Sequence, residues 1–218
     1  MHTIITIARQ YGSGGHEVGR RLAERLGVRC YDRDLISLAA EKSGMSEEAL
    51  GHVDEKAASS LLYTLVMGSN MYHSNVDQFN VPINDKLFCL QSEIIRDISE
   101  REDCVIVGRC ADFVLTEHPR CAKIFIYADF DARVQTVCAR ESISEAEARD
   151  RIIKSDKRRA NYYNYYTGHK WGKLENYDLS VSTDKIGVDA AARLIADYVK
   201  LAFPADRKNT RLNSSHNA

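Results

Sequence analysis

Prolines are scarce in this 218-residue sequence, with only three, and so is an excess of either charge. Thirty basic residues stand against thirty-one acidic ones, so no bulk field draws the chain to nucleic acid or to an anionic membrane. Long apolar runs are missing too. The longest, such as Ile4 to Ala8 and Val105 to Val107, are strand-sized, and no signal-peptide pattern opens the chain, which predicts a cytoplasmic protein with no membrane partner. The six cysteines (Cys30, Cys89, Cys104, Cys110, Cys121, Cys138) form no CxxC pair and have no histidine at metal-ligand spacing. Buried, reduced thiols are expected, and no metal site. What is present, 44% hydrophobic and 28% charged residues over 218 positions, fits one ordinary globular domain and excludes disorder, collagen and mini-protein classes.

The C-terminus stands apart. Asp206 to His216 reads DRKNTRLNSSH, one residue different from DRKSTRLNSSH, the in-frame translation of a widely used sequencing adapter. Residues 206–218 are therefore expected to be an artefactual, disordered tail without function, and the domain to span residues 1–205.

Within that span the apolar pattern alternates between strand and helix. Thr3 to Ala8 is β-branched and apolar on both faces, as a buried parallel strand requires. A glycine-rich turn follows, and then Val18, Leu22, Ala23 and Leu26 recur at helical spacing until Gly27. Val28 to Tyr31 predicts a second strand. Residues 35–101 read as helical: Leu35 to Lys42, Ser46 to about Met67 and Asn84 to about Glu100, with a long polar loop from Gly68 to Ile83. Cys104 to Val107, Ala122 to Tyr127 and Tyr177 to Ser182 complete five strands. Helices are predicted at Ala111 to Leu115, Asp129 to Arg140, from the capping box Ser144-x-x-Glu147 towards Tyr162, and at Val188 to Ala202. Strands alternating with helices imply an α/β fold with a parallel sheet.

Ligands of such sheets sit outside the carboxyl ends of the strands. The turns there hold Arg9 to His16, Asp32 to Asp34, Gly108-Arg109, Asp129 and Thr183-Asp184. The first is the most informative. Gly12-Ser13-Gly14-Gly15, between a buried strand and a helix N-terminus, gathers backbone N–H groups and the positive end of the helix dipole around one point, which suits phosphate. A plain tight turn needs one glycine, not three. Glu17, in the first helical turn, either supports the dipole or helps hold a metal ion; the dipole is the better reading.

The segments ITIARQYGSGGHEVGRRLAERLG, YDRDLI, VIVGRCADFVL, KIFIYADFDARV, DKRRANYYNYYTG and YDLSVST resemble the cytidylate kinase-like family of P-loop proteins, relatives of the nucleoside monophosphate kinases. The likeness runs over Met1 to Phe203. It implies a five-stranded parallel sheet of order 2-3-1-4-5 with helices on both faces, a nucleotide-binding helical insert at about residues 35–101 and a lid at about 144–175. It further implies Mg2+ and ATP as cofactors and transfer of a phosphoryl group to a nucleoside monophosphate, CMP or dCMP, or another small acceptor. Gly12, Ser13, Gly14, Gly15, His16 and Glu17 would hold the cofactor. Arg9, Arg109, Arg151 and Arg159 would be catalytic, and Asp32, Asp34, Arg109 and Asp156 would meet the acceptor.

Three departures qualify the match. Gly15 stands where the loop lysine of such kinases is found; Arg9 and His16 are the candidates to replace that cation, and without a replacement the loop would bind phosphate through its backbone with slow turnover or none. Val107 replaces the acid before Gly108-Arg109, and Asp112 reads as a helix-start acid rather than its substitute. Ile152 replaces a first lid arginine, with Arg151 and Lys154 beside it. Tyr162, Tyr163, Tyr165 and Tyr166 either stack on a base or pack the helix end, with packing narrowly favoured. Loss of the lysine motivates a rival reading, a catalytically weak nucleotide-binding module whose closure a partner senses. An unrelated phosphate-ligand enzyme, with its pocket away from Arg109 and Arg159, is a third.

Overall fold

Alternate residues of the first strand point to opposite sides of the sheet, and both sides are covered by apolar helices. The computed structural model describes residues 1–32, 34–43 and 83–204. Strands β1 (Ile4–Arg9), β2 (Arg29–Tyr31), β3 (Cys104–Val107), β4 (Cys121–Tyr127) and β5 (Leu179–Ser182) form one parallel sheet of order β2-β3-β1-β4-β5. This is the order the family resemblance implies. The helices are α1 (Gly15–Leu26), α2 (Asp34–Ser43), α3 (Ile83–Ser99), α4 (Ala111–Val114), α5 (Phe130–Glu141), α6 (Glu145–Thr167) and α7 (Thr183–Ala202).

One core layer joins Ile5, Ile7, Val105, Val107, Ile124 and Ile126 to Val18 and Leu22 of α1 and to Ala191, Ile195 and Val199 of α7. The opposite layer sets Ile4, Cys104 and Ile106 against Leu35 and Ala39 of α2 and Ile94, Ile95 and Ile98 of α3. The register Ile4↔Cys104 and Ile4↔Cys121, carried to Arg9↔Ile126 and Tyr127↔Ser182, brings the carboxyl ends of the strands to one edge. Loops that meet at that edge keep their backbone polar groups out of the core.

Local chemistry ends the helices where expected. Gly27, at φ 68, closes α1 by donating its N–H to the Ala23 and Glu24 carbonyls. Ser144 and Glu147 complete both halves of a capping box on α6. Two expectations are corrected. The last helix starts at Thr183, not Val188, because two helical pieces meet at Gly187 (φ 76, ψ 166). Cys89 is exposed, while Cys104, Cys110 and Cys121 are buried. The expected helix from Ser46, the loop from Gly68 and the tail from Asp206 lie outside the described residues. Among the described residues no helix is long and apolar enough to cross a membrane.

Candidate active site

The turn after β1 is a wrapped loop whose rim presents backbone. Gly12 and Gly14 hold φ of 80 and 75, a region that side chains resist. Gly12 has a second constraint, since a Cβ there would stand 2.9 Å from Val137 Cγ2 and 3.1 Å from the Arg133 carbonyl. Ser13 is turned inward. Its Oγ donates to the Gln10 carbonyl (2.9 Å) and lies 3.2 Å from the Ile126 carbonyl, so it fastens the loop to β4. Thr183 Oγ1 donates to the Ser13 carbonyl at 2.7 Å, and the Ala128 N–H donates to Gln10 Oε1 at 3.2 Å. Gly14 occupies the N-cap of α1 without any side-chain cap. The first N–H groups of that helix have no intrahelical acceptor, and the positive end of the dipole lies behind them, which suits an anion.

Beside this loop lies a cavity of about 550 Å³. Five arginines line it: Arg9, Arg109, Arg151, Arg158 and Arg159. Aromatic rings of Tyr162, Tyr163 and Trp171 form part of the wall, and Asp112 is the one acid among the lining residues. Arg109 reaches the cavity because the turn after β3 is left-handed throughout, with φ of 81, 58 and 52 at Gly108, Arg109 and Cys110. Two of those residues carry side chains, an arrangement that costs energy and persists where the surroundings enforce it. The α6 contribution follows from helical geometry: Arg151, Ser155, Arg158, Arg159, Tyr162 and Tyr163 recur at spacings of three and four and so share one face.

The remaining sequence-derived candidates fall into three groups. Asp32 joins the loop side, with His16 Nδ1 2.6 Å from its Oδ2 and Arg9 Nη2 3.7 Å from its Oδ1. Glu17 turns along its own helix: hydrogen bonds from Arg20 and Arg21 hold its carboxyl at about 2, well below the usual carboxylate range. Asp156 underpins the loop, accepting from the Tyr11 N–H at 2.7 Å and from Arg133 Nη1 at 2.6 Å. Arg159 Nη1 donates to the Arg9 carbonyl at 3.0 Å, and Arg151 pairs with Glu141. Burial of Arg159, together with the nearby charge of Arg9, pushes its guanidinium well below the ordinary arginine range, with Asp156 and Asp32 opposing the shift. The Asp34 side chain lies outside the described residues. Ile152 is 1% exposed and packs on Val134, Val137 and Ala148, so an arginine at that position would point into the α5–α6 interface.

A family model described as the cytidylate kinase-like family matches residues 4–185. The chain belongs to the cytidylate kinase-like family. Cytidylate kinase of Methanopyrus kandleri is 28% identical over 195 residues, covering 85% of this chain and 87% of that protein. Cytidylate kinase of Methanothermobacter thermautotrophicus is 25% identical over 189 residues, covering 86% and 99%. Among solved structures, an uncharacterized protein from Eubacterium ventriosum has a TM-score of 0.68 at 28% identity, covering 91% of this chain and 99% of that one. Shikimate kinase from Bacteroides thetaiotaomicron, at 13% identity and a TM-score of 0.50 over 91% and 98% of the two chains, shares the fold alone.

In this cytidylate kinase-like chain, Asp112, read from the sequence as a helix-start acid, lines the cavity, and three further residues were not assigned to the site in the sequence: Arg158 and Trp171 in the cavity wall and Arg133, the partner of Asp156. The three- and four-residue spacing along α6 is the signal that would have found Arg158 and tied it to Tyr162. Of the tyrosines, Tyr166 stacks on Phe88 of α3 at 4.1 Å, and its hydroxyl donates to Asp85 Oδ1 at 2.8 Å. Tyr163 donates instead to Asp112 Oδ2 at 2.7 Å.

Burial raises the Asp112 carboxyl above its ordinary value, although the hydrogen bond from Tyr163 works against the shift. A carboxyl so raised contributes stability that is full below its unfolded pKa and is lost as pH rises through the folded one. Asp112→Asn removes that loss while retaining an oxygen for Tyr163. The variant should therefore melt at or above the wild-type temperature at pH 7, and the gap should close as pH falls to the ordinary aspartate value of 3.8. Melts that place Asp112→Asn below wild type by a constant margin at every pH would identify Asp112 as a well-satisfied anion instead.

Proposed function

We propose that the chain transfers the terminal phosphoryl group of ATP, bound with Mg2+, to a nucleoside monophosphate, with CMP or dCMP the first candidates. The observation that carries this reading is the joining of two sites: an uncapped, glycine-rich helix N-terminus and, beside it, a cavity lined by five arginines and aromatic rings. Phosphoryl transfer asks little covalent chemistry of a protein; it asks for alignment of donor and acceptor and for cations around the equatorial oxygens. The loop N–H groups hold the triphosphate, and Arg109 and Arg158 hold the acceptor's own phosphate. The acceptor base lies along Trp171, Tyr162 and Tyr163, with Asp112 able to accept an amino N–H at the far end. An acceptor phosphate oxygen bonds to the γ-phosphorus while the bond to the β–γ bridging oxygen breaks, leaving ADP and a nucleoside diphosphate. Arg159 and Arg151 offset the charge that builds on the moving group.

Magnesium keeps most of its water and is bound chiefly through phosphate oxygens, so it asks few protein ligands. Among the described residues no group of three or more acidic, histidine or cysteine side chains could hold a metal. Asp32, at the carboxyl end of β2, is the carboxylate closest in kind to such a role.

Phosphorus NMR of the full chain with Mg-ATP and, in turn, CMP, dCMP, UMP, AMP and GMP tests the reading. A diphosphate product in one mixture, lost in Arg109→Ala, is the expected result. ATP signals that broaden while no acceptor gains phosphate would favour the regulatory binding module, and ATP signals unchanged by the protein would remove both.

A further inference from the structure

A triphosphate seated on a loop of N–H groups still needs a mobile point of positive charge at its outer phosphates. The first residue of α1 is well placed to deliver it, yet residue 15 is glycine. The structure gives a steric reason. A Cβ built on Gly15 would sit inside the van der Waals shell of Arg9 Cβ, 2.8 Å from Arg9 Cγ and 3.3 Å from Ile126 Cβ. The root of any residue-15 side chain is therefore already filled by the aliphatic stem of Arg9.

From there the stem carries its guanidinium across the strand ends. A Cβ on Gly108 would overlap Arg9 Nη1 and stand 3.2 Å from Cζ, while Nη2 comes to 3.7 Å from Asp32 Oδ1. At that distance Asp32 acts as a charge partner, not as a hydrogen-bond acceptor. His16 does not compete for the role: it is engaged with the other Asp32 oxygen at 2.6 Å, and its side chain is 63% exposed. Arg159 fixes the far side of the arrangement through the Arg9 carbonyl at 3.0 Å.

We propose that Arg9 is the phosphate-contacting cation of this loop, delivered from the end of β1 through the space that a side chain at residue 15 would fill, and that Arg9, Gly15 and Gly108 form one interdependent unit. The ligand is the outer phosphate pair of a nucleoside triphosphate. The inference rests on the phosphotransferase reading for its catalytic consequence but not for its binding consequence. Arginine and lysine deliver charge differently, a planar fork against a compact ammonium, so the unit as a whole has to be exchanged to keep the function.

Four variants test it in the full chain: Arg9→Met, which keeps the stem and removes the charge; Gly15→Lys; the exchange Arg9→Gly with Gly15→Lys; and Gly108→Ala. Calorimetry with Mg-ATP and with Mg-tripolyphosphate reads binding, and NMR turnover with the best acceptor reads catalysis. Arg9→Met is expected to weaken both ligands at least tenfold and to cut turnover about 10³-fold with an unchanged melting temperature. Gly15→Lys alone is expected to be as defective, because lysine and the Arg9 stem compete for one volume. The exchange should recover at least tenfold in binding over either single change, and Gly108→Ala should weaken binding by displacing the guanidinium. Arg9→Met binding both ligands within twofold of wild type, or an exchange no better than Gly15→Lys, would overturn the proposal. Wild-type binding without turnover would remove the kinase reading and leave the binding arms to decide Arg9. A wild-type chain that binds neither ligand overturns both.

Discussion

Asp156→Ala should lower folding stability by about 3 kcal/mol, the scale of breaking a buried ion pair from one side. Its two oxygens serve different elements: Oδ1 accepts the Tyr11 N–H at 2.7 Å and Oδ2 accepts from Arg133 at 2.6 Å. Arg133 has an 8% exposed side chain, and its other donors reach the Ala128 and Tyr11 carbonyls at 3.1 and 3.3 Å. Deleting the carboxylate leaves the buried Arg133 guanidinium and the Tyr11 N–H without their acceptor together. Asp156→Asn should fall between, because one amide oxygen can still serve Tyr11 or Arg133. Urea denaturation measures the difference. A loss under 1 kcal/mol in Asp156→Ala, accompanied by loss of acceptor binding, would move Asp156 from supporting the loop to meeting the substrate.

Arg159→Ala is expected to behave in the opposite way, losing about 10³-fold in turnover while the unliganded protein stays within about 1 kcal/mol of wild-type stability. The guanidinium is held beside Arg9 with Asp156 3.9 Å away, and burial with that like charge disfavours its ionised state. Removing it relieves the empty cavity of a repelled cation but takes a donor from the site of developing charge. Ligand protection provides the second readout: Mg-ATP should raise the melting temperature of wild type more than that of Arg159→Ala. Should Arg159→Ala unfold several kcal/mol more easily, the bond to the Arg9 carbonyl would be its main work and its role structural. The two substitutions lie three residues apart on α6 and separate stability from chemistry on one helix.

Element identity was legible wherever side-chain periodicity is forced by burial. Thr3 to Ala8 could only be a strand covered on both faces, and the structure places β1 in the centre of the sheet with Ile5 and Ile7 on one layer and Ile4 on the other. Gly27 and the Ser144–Glu147 box marked helix ends because capping is local chemistry, settled within four residues. The glycine cluster after β1 was legible for the same reason. Val28 fell just outside β2, and the last helix began five residues early because Gly187, at φ 76, joins two helical pieces. Strand order came from the family resemblance, as residue pattern alone leaves crossover order open.

The site divides along the same line. The sequence by itself determined which turns at the strand ends carry charge: those holding Arg9, Asp32, Arg109 and Asp184, with the basic residues of 149–159 before the last strand. Only the tertiary structure decided what each charge does. Asp156 and Tyr11 are 145 positions apart, and Asp112 and Tyr163 are 51 apart, so no local spacing could pair them. Gly15 looked like a missing lysine in the sequence. In the folded chain it is the space through which Arg9 passes, because the volume at a strand end is shared among residues that the chain brings together only after the sheet has formed.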